Sequence, residues 1–107
     1  VVGSFASSDI ESFSDADFEE LKNHGAVGSI CARFFNKHGE PCNVSMDRRV
    51  ISLETTMLKN IPLVIAAAGG KHKTDAIIGA AKGKLFNVLI TDEYTAYELL
   101  ERLRNIK

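Results

Sequence analysis

Two glycines followed by two lysines form the segment of this sequence with the clearest potential for chemistry. Gly69 and Gly70 follow the apolar run 63–68, and Lys71 and Lys73 come directly after them. Glycines let a ligand approach the backbone closely, and a helix that starts there offers unpaired N–H groups and a positive dipole end. Lysine is unfavourable at that end unless an anion is bound, so the segment predicts an anion site. The alternative is an ordinary strand-to-helix turn with solvated lysines. The spacing of a P-loop is absent.

Two acidic residues follow the second apolar run, residues 85–90. Asp92 is expected to cap the last helix and Glu93 to lie in its first turn, where the helix dipole favours negative charge. The alternative is that one carboxylate accepts hydrogen bonds from ligand hydroxyls. In open parallel sheets ligands bind beyond the carboxyl ends of the strands, so the acidic and glycine-rich segments are expected at one edge.

Other candidate residues are more scattered. Arg48 and Arg49 form a basic pair in an irregular stretch, which indicates either a solvated pair or recognition of a phosphate by one guanidinium. Among the histidines only His72 lies near the glycine pair. No Ser/His/Asp set and no acid/base carboxylate pair can be assembled, so the sequence predicts no catalytic residues.

Charge, cysteine spacing and the length of the apolar runs argue against a nucleic-acid-binding, a metal-binding or a membrane-spanning segment. Thirteen basic and fourteen acidic residues give no basic excess of the kind that binds nucleic acid. Cys31 and Cys42 lack zinc-site spacing, so no metal site is predicted, and no cofactor is predicted either. The two cysteines are expected to be free thiols in a reducing cytoplasm, with a disulfide as the alternative. The longest apolar run, 63–68, is far shorter than the ~20 residues of a membrane helix, and no signal peptide is visible.

The first half of the chain predicts a mixed set of elements. A loop over 6–14 precedes a helix that Ser14 caps, with Asp17 completing a capping box and Gly25 ending the helix. Residues 27–35 are β-prone, and a turn at Gly39 would let 40–44 pair back as a small antiparallel hairpin. A short helix is predicted over 53–60.

The second half predicts strand–helix–strand–helix, with strands at 63–68 and 85–90 and a helix over 73–82 between them. The strands are continuously apolar, which favours an α/β fold whose parallel sheet is covered on both faces. The chain opens on Val1-Val2-Gly3 without methionine, which predicts the end of a buried strand and a fragment of something longer.

Several sequence blocks together resemble one protein family. They are GSICARFF at 28–35, RVI at 49–51, NIPLVIAAAGGKHKTDAI at 60–77 and NVLITDEYTA at 87–96. In order and spacing these blocks resemble the sugar-binding domain of the SorC family of bacterial transcriptional regulators. Either of the last two alone would be a weak match, whereas together they are specific.

The resemblance implies a Rossmann-like parallel sheet with flanking helices, related to glucosamine-6-phosphate deaminase and ribose-5-phosphate isomerase. It implies a sensor of a phosphorylated sugar, not an enzyme. Such a sensor is a homo-oligomer, dimer or tetramer, and effector binding changes its assembly and its affinity for operator DNA. Residues 1–107 would be the C-terminal portion of the effector domain. The helix-turn-helix and the first half of that domain would lie outside this chain.

The resemblance also implies which residues contact the effector. Lys73 matches the family lysine after the glycine pair, and Arg49 matches the family arginine before Val-Ile. Ser29 stands where the family has an acidic residue; it can bond a hydroxyl but brings no charge, which leaves the effector's identity open. The predicted effector site is Lys73, Gly69, Gly70, Ser29, Arg49, Asp92 and Glu93.

Two rival functions are compatible with the same residues. One is a fragment of a sugar-phosphate isomerase or deaminase of the same superfamily, for which Asp92 or Glu93 would be the general base. The other is a structural or dimerisation piece with a vacant cleft.

Overall fold

The computed structural model describes residues 14–105, apart from the side chain of Arg49. The loop predicted before Ser14 and the strand end predicted at Val1-Val2-Gly3 lie outside the described residues. The elements in chain order are α1 (Asp15–Asn23), β1 (Ala26–Ile30), β2 (Arg33–Asn36), a 3-10 helix (Ser45–Arg49), α2 (Thr55–Leu58), β3 (Ile65–Ala67), a 3-10 turn (Lys71–Lys73), α3 (Thr74–Lys82), β4 (Val88–Ile90) and α4 (Glu93–Asn105).

Helix α1 begins with the predicted capping box. The Ser14 hydroxyl oxygen accepts the N–H of Asp17 at 3.2 Å, and the Asp17 carboxylate accepts the N–H of Ser14 at 3.0 Å. Leu21 is buried, and Gly25 follows the helix with φ +69°. The predicted start and end of this helix are therefore confirmed.

The antiparallel hairpin lies elsewhere than predicted. Strands β1 and β2 pair with each other, with Ser29 opposite Phe34, so 27–35 is not one strand. Cys31 and Ala32 form the turn with φ of 52° and 60°. A two-residue turn with both φ positive suits the right-handed twist of a hairpin, but it usually carries Asn-Gly, and this sequence offers no such signal.

The predicted return strand over 40–44 is reduced to a single bridge. The chain does turn at Gly39, and Phe35 forms an isolated antiparallel bridge with Pro41. Two hydrogen bonds flank this bridge, from the N–H of Asn36 to the carbonyl of Glu40 and from the N–H of Cys42 to the carbonyl of Phe34, both at 3.0 Å. Asn43, at φ 53°, then takes the chain out of the extended conformation and ends the pairing that the apolar pattern predicted.

The turn at Gly39 packs directly on the end of α3. A methyl group placed on Gly39 would lie 2.3 Å from the Cα of Gly83 and 2.5 Å from the carbonyl oxygen of Gly79. Backbone therefore contacts backbone, and only glycine fits between the hairpin and this helix.

The predicted strand–helix–strand–helix order is confirmed. Strands β3 and β4 pair in parallel, with Ala66 opposite Leu89, and α3 connects them. Helix α2 falls within the predicted range 53–60. The chain is thus a small α/β unit with an antiparallel hairpin and a parallel strand pair.

Among the described residues, only one face of the parallel pair is covered, so this part of the chain does not confirm the prediction that both faces are covered. Ala66 is 3% exposed, whereas Ile65 and Ile90 are 54% and 59% exposed. The covered face packs on a core that also includes residues of β1, β2, α2, α3, α4 and the loop before β4: Ile30, Phe35, Leu58, Ala76, Ile77, Ala80, Leu85 and Leu99. The apolar strands are suited to a second layer that residues 14–105 do not supply.

Candidate functional site

The loop after β3 takes a backbone conformation that only glycine adopts readily. Gly70 has φ +112° and ψ 139°. Gly69 lies against Asp92, because a methyl group added to Gly69 would be 2.5 Å from Asp92 Oδ2. The ends of both parallel strands therefore meet at one edge, as predicted for Gly69, Gly70 and Asp92.

A buried threonine joins these two segments. The N–H of Gly70 donates to Thr95 Oγ1 at 2.8 Å, and the Thr95 hydroxyl donates to Asp92 Oδ2 at 2.9 Å. Thr95 is 1% exposed. Sequence reasoning did not assign this residue to the site, although its position three residues after a helix-capping aspartate is a signal for a capping partner.

The predicted role of Asp92 as the N-cap of α4 is confirmed. Its Oδ1 accepts the backbone N–H of Thr95 at 2.7 Å, so both carboxylate oxygens are bonded to Thr95. The backbone N–H of Thr95, followed by its hydroxyl, lowers the pKa of the Asp92 carboxyl. A ligand hydroxyl at Asp92 would have to share these oxygens with the cap.

The lowered pKa of Asp92 predicts a pH dependence of stability. Because the folded-state pKa lies below the usual value of ~3.9, the stabilising contribution is present above that value and is lost as pH falls through the folded-state pKa. We expect the difference in urea midpoint between the native protein and Asp92→Asn to shrink from about pH 5 to about pH 3. A difference that stays constant over this range would contradict the assignment.

The two lysines lie in a 3-10 turn that precedes the helix. Lys73 donates its N–H to the carbonyl of Gly70 at 3.0 Å, and α3 begins at Thr74, one residue later than predicted. The Thr74 hydroxyl donates to the carbonyl of Lys71 at 2.7 Å. Within residues 14–105, the N–H groups of Lys71 and His72 have no acceptor, as is usual for the first residues of a helix.

The other predicted site residues lie in β1, in α4, in the 3-10 helix Ser45–Arg49 and in the 3-10 turn before α3. Ser29 is half-buried in β1, and no hydrogen bond within residues 14–105 joins it to the glycine-lysine loop. Glu93 is exposed in the first turn of α4, as predicted. Arg49 ends the 3-10 helix Ser45–Arg49, and its side chain lies outside the described part of the structure. Lys73 is half-buried and Lys71 is exposed.

Cys31 and Cys42 are both free, which confirms the prediction of two thiols. Across residues 14–105 no cluster of His, Cys, Asp or Glu could hold a metal ion. None of the described helices combines the length and the apolar character needed to span a bilayer.

Comparison with known proteins connects this chain to bacterial regulators. Residues 1–101 match the family described as "Putative sugar-binding domain". The chain is 42% identical over 78 residues to the deoxyribonucleoside regulator of Bacillus subtilis, covering 73% of this chain and 25% of that protein. It is 40% identical over 77 residues to the transcriptional regulator LsrR of Escherichia coli, covering 71% and 24%. The chain thus spans about a quarter of the length of these relatives.

Solved structures support the same family. A transcriptional regulator from Streptococcus pneumoniae superimposes with a TM-score of 0.84 at 32% identity, over 97% of this chain and 41% of that one. The full-length sorbitol operon regulator SorC of Klebsiella pneumoniae superimposes with a TM-score of 0.75 at 31% identity, over 81% and 28%. This chain belongs to the sugar-binding domain family of bacterial SorC-type transcriptional regulators.

Proposed function

We propose that this chain forms part of the effector site of a transcriptional regulator that senses a phosphorylated sugar. The observation that carries the proposal is the loop at the carboxyl edge of β3. There Gly69 packs against Asp92, and the N–H groups of Lys71 and His72, which have no acceptor within residues 14–105, lie beside the half-buried Lys73. N–H groups and an ammonium suit a phosphate, and a neighbouring carboxylate suits a sugar hydroxyl. Relatives named for deoxyribonucleosides and for sorbitol are regulators of the same family.

In this proposal each residue has a defined task. Lys73 supplies positive charge to the effector phosphate, and the N–H groups of Lys71 and His72 add neutral donors. Asp92 and Glu93 face the sugar hydroxyls at the start of α4. Ser29 and Arg49 would also contact the effector, as the family resemblance implies.

The proposal also covers the longer regulator of which this chain would be a part. We infer that β3 and β4 belong to a larger Rossmann-like sheet, which the exposed outer face of Ile65 and Ile90 supports. Residues 1–107 would be the C-terminal portion of the effector domain of a cytoplasmic homo-oligomer, dimer or tetramer. A helix-turn-helix outside this chain would bind operator DNA, and effector binding would change that contact.

Calorimetric titration of the full-length protein with a panel of aldose, ketose and polyol phosphates tests the proposal. We expect saturable binding of at least one phosphorylated compound and no binding of its dephosphorylated form. Failure of every phosphorylated sugar to bind would contradict the sensor function. Incubation of the same mixtures, followed by NMR of the sugar, tests the enzymatic rival; we expect no product, since the relatives are transcriptional regulators.

A further inference from the structure

We propose that Thr95 is a positioning residue of the effector site, whose hydroxyl holds Gly70 and thereby sets the backbone that carries Lys73. The inference rests on the proposed function. Thr95 is buried at the junction of α4 with the loop after β3, so it is placed to act through its neighbours and not by touching a ligand.

The hydrogen bonds of the Thr95 hydroxyl have a defined direction. A hydroxyl has one proton to donate, and Asp92 Oδ2 accepts it at 2.9 Å. The oxygen of the hydroxyl is then an acceptor, and it receives the N–H of Gly70 at 2.8 Å. Asp92 is itself held by the backbone N–H of Thr95 at 2.7 Å, so the acceptor cannot rotate away without breaking the cap of α4.

The same chain of bonds continues to the lysine. The N–H of Gly70 is bonded to Thr95, and its carbonyl accepts the N–H of Lys73 at 3.0 Å. The conformation of Gly70, with φ +112°, therefore decides where the 3-10 turn begins and where the Lys73 side chain starts. Thr95 already uses the Gly70 N–H, whereas the N–H groups of Lys71 and His72 have no acceptor within residues 14–105 and remain available to an anion.

Without the hydroxyl, Gly70 would lose its fixed position. A valine at 95 keeps the volume of threonine but leaves the Gly70 N–H and Asp92 Oδ2 without their partner. Glycine has the widest choice of backbone conformations, so the loop would then sample others at the expense of the one that binds. A serine at 95 keeps the hydroxyl and loses only a methyl group.

The test compares Thr95→Val with Thr95→Ser in the full-length protein, with Thr55→Val as a matched control. Thr55 is a buried threonine of α2 that makes no described contact with the loop. We measure affinity for the phosphorylated sugar found by titration, urea midpoints, and hydrogen–deuterium exchange of the peptide covering residues 68–74 in the absence of ligand.

We expect Thr95→Val to weaken affinity by about tenfold or more and to speed exchange over residues 68–74, while Thr95→Ser stays within about threefold in affinity. Thr55→Val should leave affinity and loop exchange unchanged. If affinity follows the urea midpoint across the three variants, Thr95 is merely structural and the proposal is overturned. It is also overturned if Thr95→Ser loses as much affinity as Thr95→Val.

Failure of this inference and failure of the proposed function give different results. Unchanged exchange over residues 68–74 in ligand-free Thr95→Val refutes the holding role of Thr95, whatever the protein binds. Absence of binding by the native protein refutes the sugar-phosphate sensor instead. If Thr95→Val does not fold, Thr95→Ser and Thr95→Asn decide the question. The proposal requires that the serine variant keeps the affinity. It also requires that the asparagine variant loses affinity, because a carboxamide accepts and donates at two different atoms and not at one oxygen.

Discussion

Gly39→Ala is expected to destabilise the protein by roughly 3–5 kcal/mol, whereas Gly25→Ala should cost only about 1–2 kcal/mol. Both glycines have a positive φ, at +77° and +69°, so both substitutions introduce the same backbone strain. They differ in their surroundings. A methyl group on Gly39 would meet Gly83 Cα at 2.3 Å, while no atom of residues 14–105 lies within 4 Å of one on Gly25. Since backbone atoms of α3 cannot rotate aside, the hairpin would have to separate from the helix.

Urea unfolding of the native protein and both variants measures the two costs. The Gly25 variant is the control for strain, and the difference between the variants isolates the steric cost. Gly79→Ala adds an independent check on the same contact, since alanine is favoured over glycine within a helix by ~1 kcal/mol. A methyl group on Gly79 would lie 2.9 Å from the carbonyl oxygen of Asn36, so we expect a net loss of stability despite that preference. Equal midpoints for the Gly39 and Gly25 variants would show that the hairpin does not pack on α3 this closely.

Lys73→Ala in the full-length protein is expected to weaken binding of the phosphorylated effector by ~1–3 kcal/mol, about fivefold to 150-fold. Lys73 is half-buried, and its backbone N–H is bonded to the Gly70 carbonyl, so its side chain starts from a fixed point of the loop. Lys71 is exposed, and the family resemblance assigns the effector contact to Lys73 and not to Lys71. Lys71→Ala should therefore have the smaller effect.

Titration of both variants with the same sugar phosphate gives the comparison, and Lys82→Ala, an exposed lysine at the far end of α3, is the control for net charge. The urea midpoint of Lys73→Ala should be close to that of the native protein, because Lys73 makes no described ion pair within residues 14–105. Equal affinities for Lys73→Ala and Lys82→Ala would mean that long-range charge and not contact explains the effect, and the role assigned to Lys73 would then be wrong.

The features that the sequence predicted correctly depend on residues close together in the chain. The Ser14–Asp17 capping box and the Asp92 cap of α4 each span three residues, and the strand–helix–strand–helix order follows from hydrophobic periodicity. The convergence of Gly69 and Asp92 at one edge was also predicted, because parallel strands end on the same side of a sheet. The effector contacts of all seven predicted site residues stay predictions: Lys73, Gly69, Gly70, Ser29, Arg49, Asp92 and Glu93.

The features that the sequence did not predict depend on contacts between residues far apart in the chain, or on turns without a characteristic sequence. The hairpin turns at Cys31-Ala32 and not at the predicted position, and the sequence did not indicate this because neither residue is typical of left-handed positions. The hydrogen bond from Gly70 to Thr95 joins residues 25 apart in the chain, and it connects the glycine segment to the first turn of α4, which Asp92 caps. The packing of Gly39 on Gly83 and the exposed outer face of the parallel pair are likewise absent from any local pattern. Local preferences specify where elements begin and end, whereas the contacts between elements depend on backbone approach distances that only the folded chain determines.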